Sequence, residues 1–529
     1  MISRGKAMSF PKQKSVLGIL MVGITLMIYF SGCVSLSFKS YSQVSSFEEP
    51  SSPMPQTESV TSYYDALLKV PLIVSQTTIV GIVFSHIIFQ RTIRNHFQLF
   101  RDRNNTYTGV SEDTTNLHLA KRLLTILLSC GIAILLSATS LFLLQAYSLS
   151  SELGIDLGTT FTILSATPVG PVLNLRVLTS LIIVVSSILY YVFEKKSIKK
   201  GQTGLESNEL GHYSPSLKKR TGKKGGVLSN GLLYIILLAG AVSIFSNSMV
   251  SHNTALSFLP SLAISLDWFH FMAVSIWLGG LFYIASILLM TIRLSIRKNS
   301  NNDGNANRSF GVAVHDTSYF LALLLPYFSL IATISLGIIG VTGLYMAWIH
   351  LHTAEAIFTS SYGNILAIKL LLILPMVILG GYHQIRLHSS LMMVANLSKD
   401  GQWQQREKIN APGMGLSDDC KTSPFSQQYD PSKRFSKTIK IESFIGIGVL
   451  VAASFLTITS PPSISLQESM STQGSLEVES KQNYIPSFDS FAVLAIILSV
   501  AVSIGSILYF KKSKQQVKNT IAHFERSDR

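Results

Sequence analysis

The sequence predicts an all-α fold, a polytopic bundle of about nine to ten transmembrane helices, and three observations carry that prediction. Only 13% of the 529 residues are charged, while 47% are hydrophobic. An ordinary soluble domain carries roughly a quarter charged residues. Apolar runs of about the 20 residues needed to cross a bilayer recur along the chain. They fall at roughly 15–36, 66–90, 121–147, 175–193, 229–250, 265–292, 319–350, 364–388, 441–460 and 488–510. The third observation is the placement of the basic residues between these runs, taken up below.

Taken in order, the first run follows a basic start (Arg4, Lys6, Lys12, Lys14) and stays apolar to Phe30. Residues 1–36 therefore read as a signal anchor or as a cleaved signal peptide; cleavage would leave nine spans. Residues 37–65 form a short, Ser-rich extracytoplasmic linker, too short for a β-sandwich. The transmembrane core occupies 66–390. Residues 391–440 are polar, with Lys, Ser, Gly and Gln, and read as a solvated cytoplasmic loop. Two further spans follow within 441–510, and 511–529 is a basic tail. No internal repeat survives residue-level comparison.

Of the 43 Lys and Arg residues, 38 lie in alternate connecting segments: 1–14, 91–122, 194–228, 293–317, 386–440 and 511–529. The intervening segments are nearly free of them. This is the positive-inside pattern, which predicts a multi-pass protein of the cytoplasmic membrane with a cytoplasmic C-terminus. The net charge of +15 is thereby explained as topology, and lipid rather than nucleic acid is the expected partner. The three cysteines (Cys33, Cys130, Cys420) are far apart and odd in number, so no disulfide framework is implied. A GxxxxGK[ST] phosphate loop, a CxxC pair and an intramembrane Cys-Pro-Cys are all lacking. With no soluble catalytic domain, the expectation is a protein that is not an enzyme.

Ionisable residues inside membrane helices are costly and mark functional sites. Four histidines, His252, His270, His350 and His352, fall at the outer ends of three successive spans. Asp267, His270, Val274 and Trp277 share one helical stripe, so Asp267 can stand above His270 and orient it, as carboxylates do at metal sites. A purely structural His–Asp staple reads equally from these residues. Gly337, Gly340, Gly343 and Ala347 form a small-residue stripe that points His350 into the bundle, ahead of His352. Imidazole with a nearby Met, as at Met249 or Met346, suits copper, and imidazole with carboxylate suits several divalent metals. A pair of facing histidines suits haem as well. Lys369 reads as a snorkelling anchor, Pro375 as a kink in its helix, and His383, Gln384 and Arg386 as a solvated inner boundary.

The stretch Ser251-His252-Asn-Thr-Ala, with Asp267-Trp-Phe-His270 and Ile276-Trp277-Leu-Gly-Gly-Leu281 after it, resembles the copper resistance protein D family. Tyr327-Phe-Ser, Gly340-Val-Thr-Gly343-Leu-Tyr345-Met-Ala-Trp348 and Ser361-Tyr362-Gly363 with Lys369-Leu are similar to the segments that follow in that family. The resemblance spans about 245–390. Tyr327 stands where the family commonly has Arg, and His383 where it has Asn. It implies copper transport across the cytoplasmic membrane, inward from the outer face, in copper homeostasis or resistance in a prokaryote. It implies the copper ion as the metal bound, with His252, His270, His350 and His352 receiving it and Asp267 supporting them. It also implies a separate extracytoplasmic copper-binding protein as partner. The alternatives are a haem-binding membrane electron carrier and a non-transporting assembly factor or sensor.

Overall fold

The computed structural model describes residues 61–103, 112–167, 169–206, 218–251, 260–289, 306–351, 353, 355–383 and 431–462. Among the described residues, ten α-helices follow one another: α1 (Thr61–Arg103), α2 (Glu112–Leu153), α3 (Leu157–Ala166), α4 (Val169–Glu206), α5 (Lys218–Ser248), α6 (Pro260–Phe282), α7 (Ala306–Leu351), α8 (Ala356–Thr359), α9 (Ser361–Tyr382) and α10 (Pro431–Leu456). A single π-helical turn, Tyr283–Leu288, continues α6. There are no strands among the described residues, and the fold is the all-α polytopic bundle that the apolar periodicity predicts. Among the described residues, eight helices are long and apolar enough to cross a membrane, and they coincide with the second to ninth predicted runs. The first and tenth runs, residues 391–430 of the predicted loop and the basic tail lie outside the described residues, as do His252 and His352.

Several boundaries differ from the hydropathy reading, and two of them have a plain local cause. The connection at 148–174 contains the short helix α3. Its entrance is built locally: Gly154 takes the left-handed conformation (φ 64°) just past the end of α2, which glycine adopts without a Cβ penalty. Asp156 then caps α3, accepting from the Thr159 amide at 2.9 Å and the Thr159 hydroxyl at 2.6 Å. Those hydrogen bonds, the hydroxyl first, hold the Asp156 carboxyl below its ordinary range. The second difference is α10, which begins at Pro431 rather than near 441. Over its first turns Phe435, Ser436 and Ile439 are buried while Arg434, Lys437 and Lys440 are exposed, an amphipathic pattern that an apolar window does not register.

Helix α1 is the centre of the bundle. It packs against α2, α5, α6 and α10, while α4 closes the far side against α2 and α5 and α7 lies on α6. The crossing of α1 with α6 is backbone on backbone. A Cβ on Gly81 would collide with the Ser275 carbonyl and with Gly279, and one on Gly279 would meet the Thr77 carbonyl at 2.8 Å. Glycines at a crossing let membrane helices gain dispersion energy where no hydrophobic force separates protein from lipid. Polar groups tie the same core. Gln76 of α1 donates to the Ser243 carbonyl and hydroxyl of α5 (3.0 and 2.8 Å) and accepts from Asn247 at 2.6 Å. Arg176 of α4, buried, donates to Ser246 (3.0 Å) and Asn247 (2.9 Å).

The outward faces are the reverse. Leu371, Leu374 and Ile378 of α9 and Phe444 of α10 are exposed large hydrophobics, far more apolar surface than a soluble protein leaves to water. Lipid covers such a belt. Helix α9 reaches the bundle chiefly through α10 and runs through Pro375 without ending.

Candidate functional site

At the Lys- and Arg-poor end of the bundle, α6, α7 and α9 bring together Asp267, His270, Thr342, His350, Tyr362 and Lys369. The Asp267 side chain is buried. It lies within electrostatic reach of Lys369 and Tyr362 and beside the hydroxyl of Ser248. A buried carboxylate and a buried ammonium in lipid are tolerable only as such a pair. Lys369 therefore does not snorkel to the interface; it is the counter-charge of Asp267, and it also faces His270.

His270 is oriented by Thr342. The Thr342 hydroxyl donates to the Ile338 carbonyl at 2.7 Å, the back-bond common to threonine in helices. Its one proton is thus committed, so at 2.9 Å from His270 Nδ1 its oxygen must accept, and Nδ1 carries the hydrogen. The lone pair of the neutral ring is then on Nε2, the ligating nitrogen. Gly343 makes room for this ring: a Cβ there would stand 3.1 Å from His270 Cε1. The small-residue stripe of α7 thus has a use at Gly343 that the sequence does not show, accommodating an imidazole in place of a neighbouring helix.

The structure separates the histidines in depth. Helix α6 starts at Pro260, five residues before the predicted edge, so His270 sits about 15 Å along it, not one turn in. His350 lies eight residues beyond Thr342 on α7, a rise of about 12 Å. It is buried and meets the Tyr362 ring edge-on with centroids 5.8 Å apart. The site therefore has two levels: His350 with Tyr362 nearer the end, and His270 with Thr342, Asp267 and Lys369 deeper. Among the described residues, no group of three or more His, Cys, Asp or Glu is arranged to hold a metal ion. Trp277 is buried in the core below.

Thr342 and Tyr362 fall within the segments that resemble the family but were not expected as site residues; a threonine hydroxyl within an apolar helix is commonly satisfied by its own backbone. The inner boundary group also reads differently in three dimensions: His383 is buried, 5% exposed, beside Glu442 of α10.

Fold and site together define a multi-pass α-helical membrane protein with ionisable side chains stacked within the bilayer thickness. Residues 322–412 match the family model of Copper resistance protein D, so this stretch is similar to that family. The match covers α9 and the part of α7 that holds Thr342 and His350, and it begins after α6. No curated protein and no solved structure matches the chain.

Proposed function

We propose that the chain conducts copper ions through the cytoplasmic membrane, inward from the Lys- and Arg-poor face, which the charge pattern makes the outer one. The observation that carries this reading is the fixed ring of His270, whose Nδ1–H is committed to Thr342 and whose Nε2 is left as a ligand. Copper is substrate here, received first near His350 and Tyr362 and handed about 12 Å deeper to His270. His252 and His352, which belong to the chain segments flanking that face, complete the outer level in this proposal. A stepwise pair of weak sites suits permeation, because a cargo ion must leave as readily as it binds. Asp267 neutralises Lys369, so that a cation passing His270 meets no net repulsive charge. A separate extracytoplasmic copper-binding protein would deliver the ion.

The test is copper uptake into proteoliposomes, read by mass spectrometry of the washed vesicles. Uptake should fall to the protein-free level in His270→Ala and decline strongly in His350→Ala. Unchanged uptake in both variants would refute conduction through this stack and favour a non-transporting sensor or assembly role.

A further inference from the structure

At the opposite, Lys- and Arg-rich end of the bundle, a second buried polar cluster joins α9 to α10. His383 follows the last residue of α9. Its Nε2 is 2.6 Å from Thr438 Oγ1, and its Nδ1 is 3.3 Å from Glu442 Oε2. Both side chains are almost wholly enclosed, at 6% and 2% exposure. Phe435 covers the imidazole with ring centroids 5.3 Å apart.

The proton positions follow from counting donors. Thr438 Oγ1 lies 3.0 Å from the Arg434 carbonyl and 3.1 Å from the Phe435 carbonyl, and its single hydrogen goes to that pair of acceptors. Towards His383 it accepts, so Nε2 holds a hydrogen. The remaining contact sets Nδ1 against Glu442 Oε2, an oxygen with no other hydrogen-bond partner among the described residues. With no proton between them, an imidazole lone pair would face a carboxylate in a site that water does not reach, and both groups would be buried and unsatisfied. With one proton, the pair is either imidazolium with carboxylate or imidazole with carboxylic acid, and in both forms the contact is attractive and its net charge is zero. A second proton would bury an uncompensated positive charge.

We propose that His383 and Glu442 form an intramembrane proton-binding site that holds one exchangeable proton between α9 and α10. Its ligand is the proton itself, reached from the Lys- and Arg-rich side where α9 ends. The neighbouring titratable groups are few. Tyr382 stands beside the imidazole on α9, with ring centroids 6.2 Å apart. Arg434, Lys437 and Lys440 of α10 are exposed. Helices α1, α6 and α7, which also pack on α10, present no ion-pair partner to either group among the described residues. The site is far from His270 and His350 and stands independently of the copper reading.

The experiment is nitrogen-15 NMR of histidine-labelled full-length protein in lipid nanodiscs, followed from about pH 5 to pH 9. His383 is assigned by loss of its signals in His383→Gln, and the same pH series is recorded by infrared difference spectroscopy. In the wild type, Nε2 should remain protonated throughout while the shared proton, on Nδ1 or on the carboxyl, is exchanged in one step. A carboxyl band should titrate at the same midpoint. In Glu442→Gln the carboxyl band should vanish, and the Nδ1 midpoint should move by about one pH unit or more, the effect of one close charge. In Thr438→Val the Nε2 hydrogen should lose its fixed position while the Nδ1 step persists. An Nδ1 titration identical in Glu442→Gln would place the proton on the imidazole alone and overturn the proposal. So would a wild type in which neither Nδ1 nor the Glu442 carboxyl changes state.

Discussion

Replacing Thr342 by valine isolates the step on which the ligand role of His270 rests. Valine keeps the shape of threonine and removes the one oxygen that accepts from Nδ1 at 2.9 Å. The fold should survive: a membrane-buried side-chain hydrogen bond contributes on average about 0.6 kcal/mol, and at most about 1.7. The ring is affected more. Without the acceptor, the hydrogen is no longer held on Nδ1 by Thr342 and can move to Nε2, leaving the Ile339 carbonyl as the other acceptor near the ring. Loss of the group that orients a ligating histidine typically weakens metal binding about 10–100-fold, or about 1.4–2.8 kcal/mol. The assay is copper(I) binding to purified protein in competition with a chromogenic chelator, alongside thermal unfolding. Thr342→Val should bind copper 10–100-fold more weakly with nearly unchanged unfolding, and Thr342→Ser should bind as the wild type does. If Thr342→Val bound normally while His270→Ala did not bind, the hydroxyl would not be what orients the ring.

Three further outcomes are expected. Lys369→Met leaves Asp267 buried without its counter-charge and should destabilise the protein by about 3–5 kcal/mol; Asp267→Asn combined with Lys369→Met should recover most of the loss in thermal unfolding, and a failure to recover would break the pairing. Gly279→Ala forces a Cβ into the α1–α6 crossing and should cost about 1–3 kcal/mol, whereas Gly381→Ala, which has open space around it, should be neutral in the same assay. Asp156→Ala should loosen the start of α3, seen as faster amide exchange at Thr159 and Thr160. Because the folded carboxyl titrates below its ordinary value, the wild-type cap should be intact above about pH 4 and lost as pH falls further, and the variant should show no such acid step.

The spans were legible because lipid imposes one solvent on every element, so hydropathy and the Lys/Arg alternation carry most of the architecture. His270 was legible for a related reason: an imidazole inside an apolar stripe has no inexpensive explanation. Its depth was not legible, since Pro260-Ser-Leu-Ala-Ile-Ser could be read as loop as easily as helix, and those residues separate His270 from His350. Glu442 was missed at the edge of a hydropathy window that began at 441. The amphipathic turns from Pro431 bury it, and only the packing of α10 on α9 reveals its partner. Lys369 looked like an anchor because its counter-charge sits two membrane spans away in sequence. Pairings of this kind are long-range by nature and leave no local period.

Helix α9 carries a member of each polar cluster, Lys369 in one half and His383 just past its end. Its 22 residues make a rod about 33 Å long, stiffened by its own hydrogen-bond ladder. Pro375, between the two residues, removes one rung of that ladder. Because α9 is held mainly along one side by α10 and slides against lipid elsewhere, its ends behave as the two arms of a lever. A tilt of about 5° about the middle carries each end roughly 1.4 Å, in opposite senses, over this length. By that geometry alone, a change in the seating of His383 against α10 would displace Lys369 relative to Asp267, without any wire of intervening side chains.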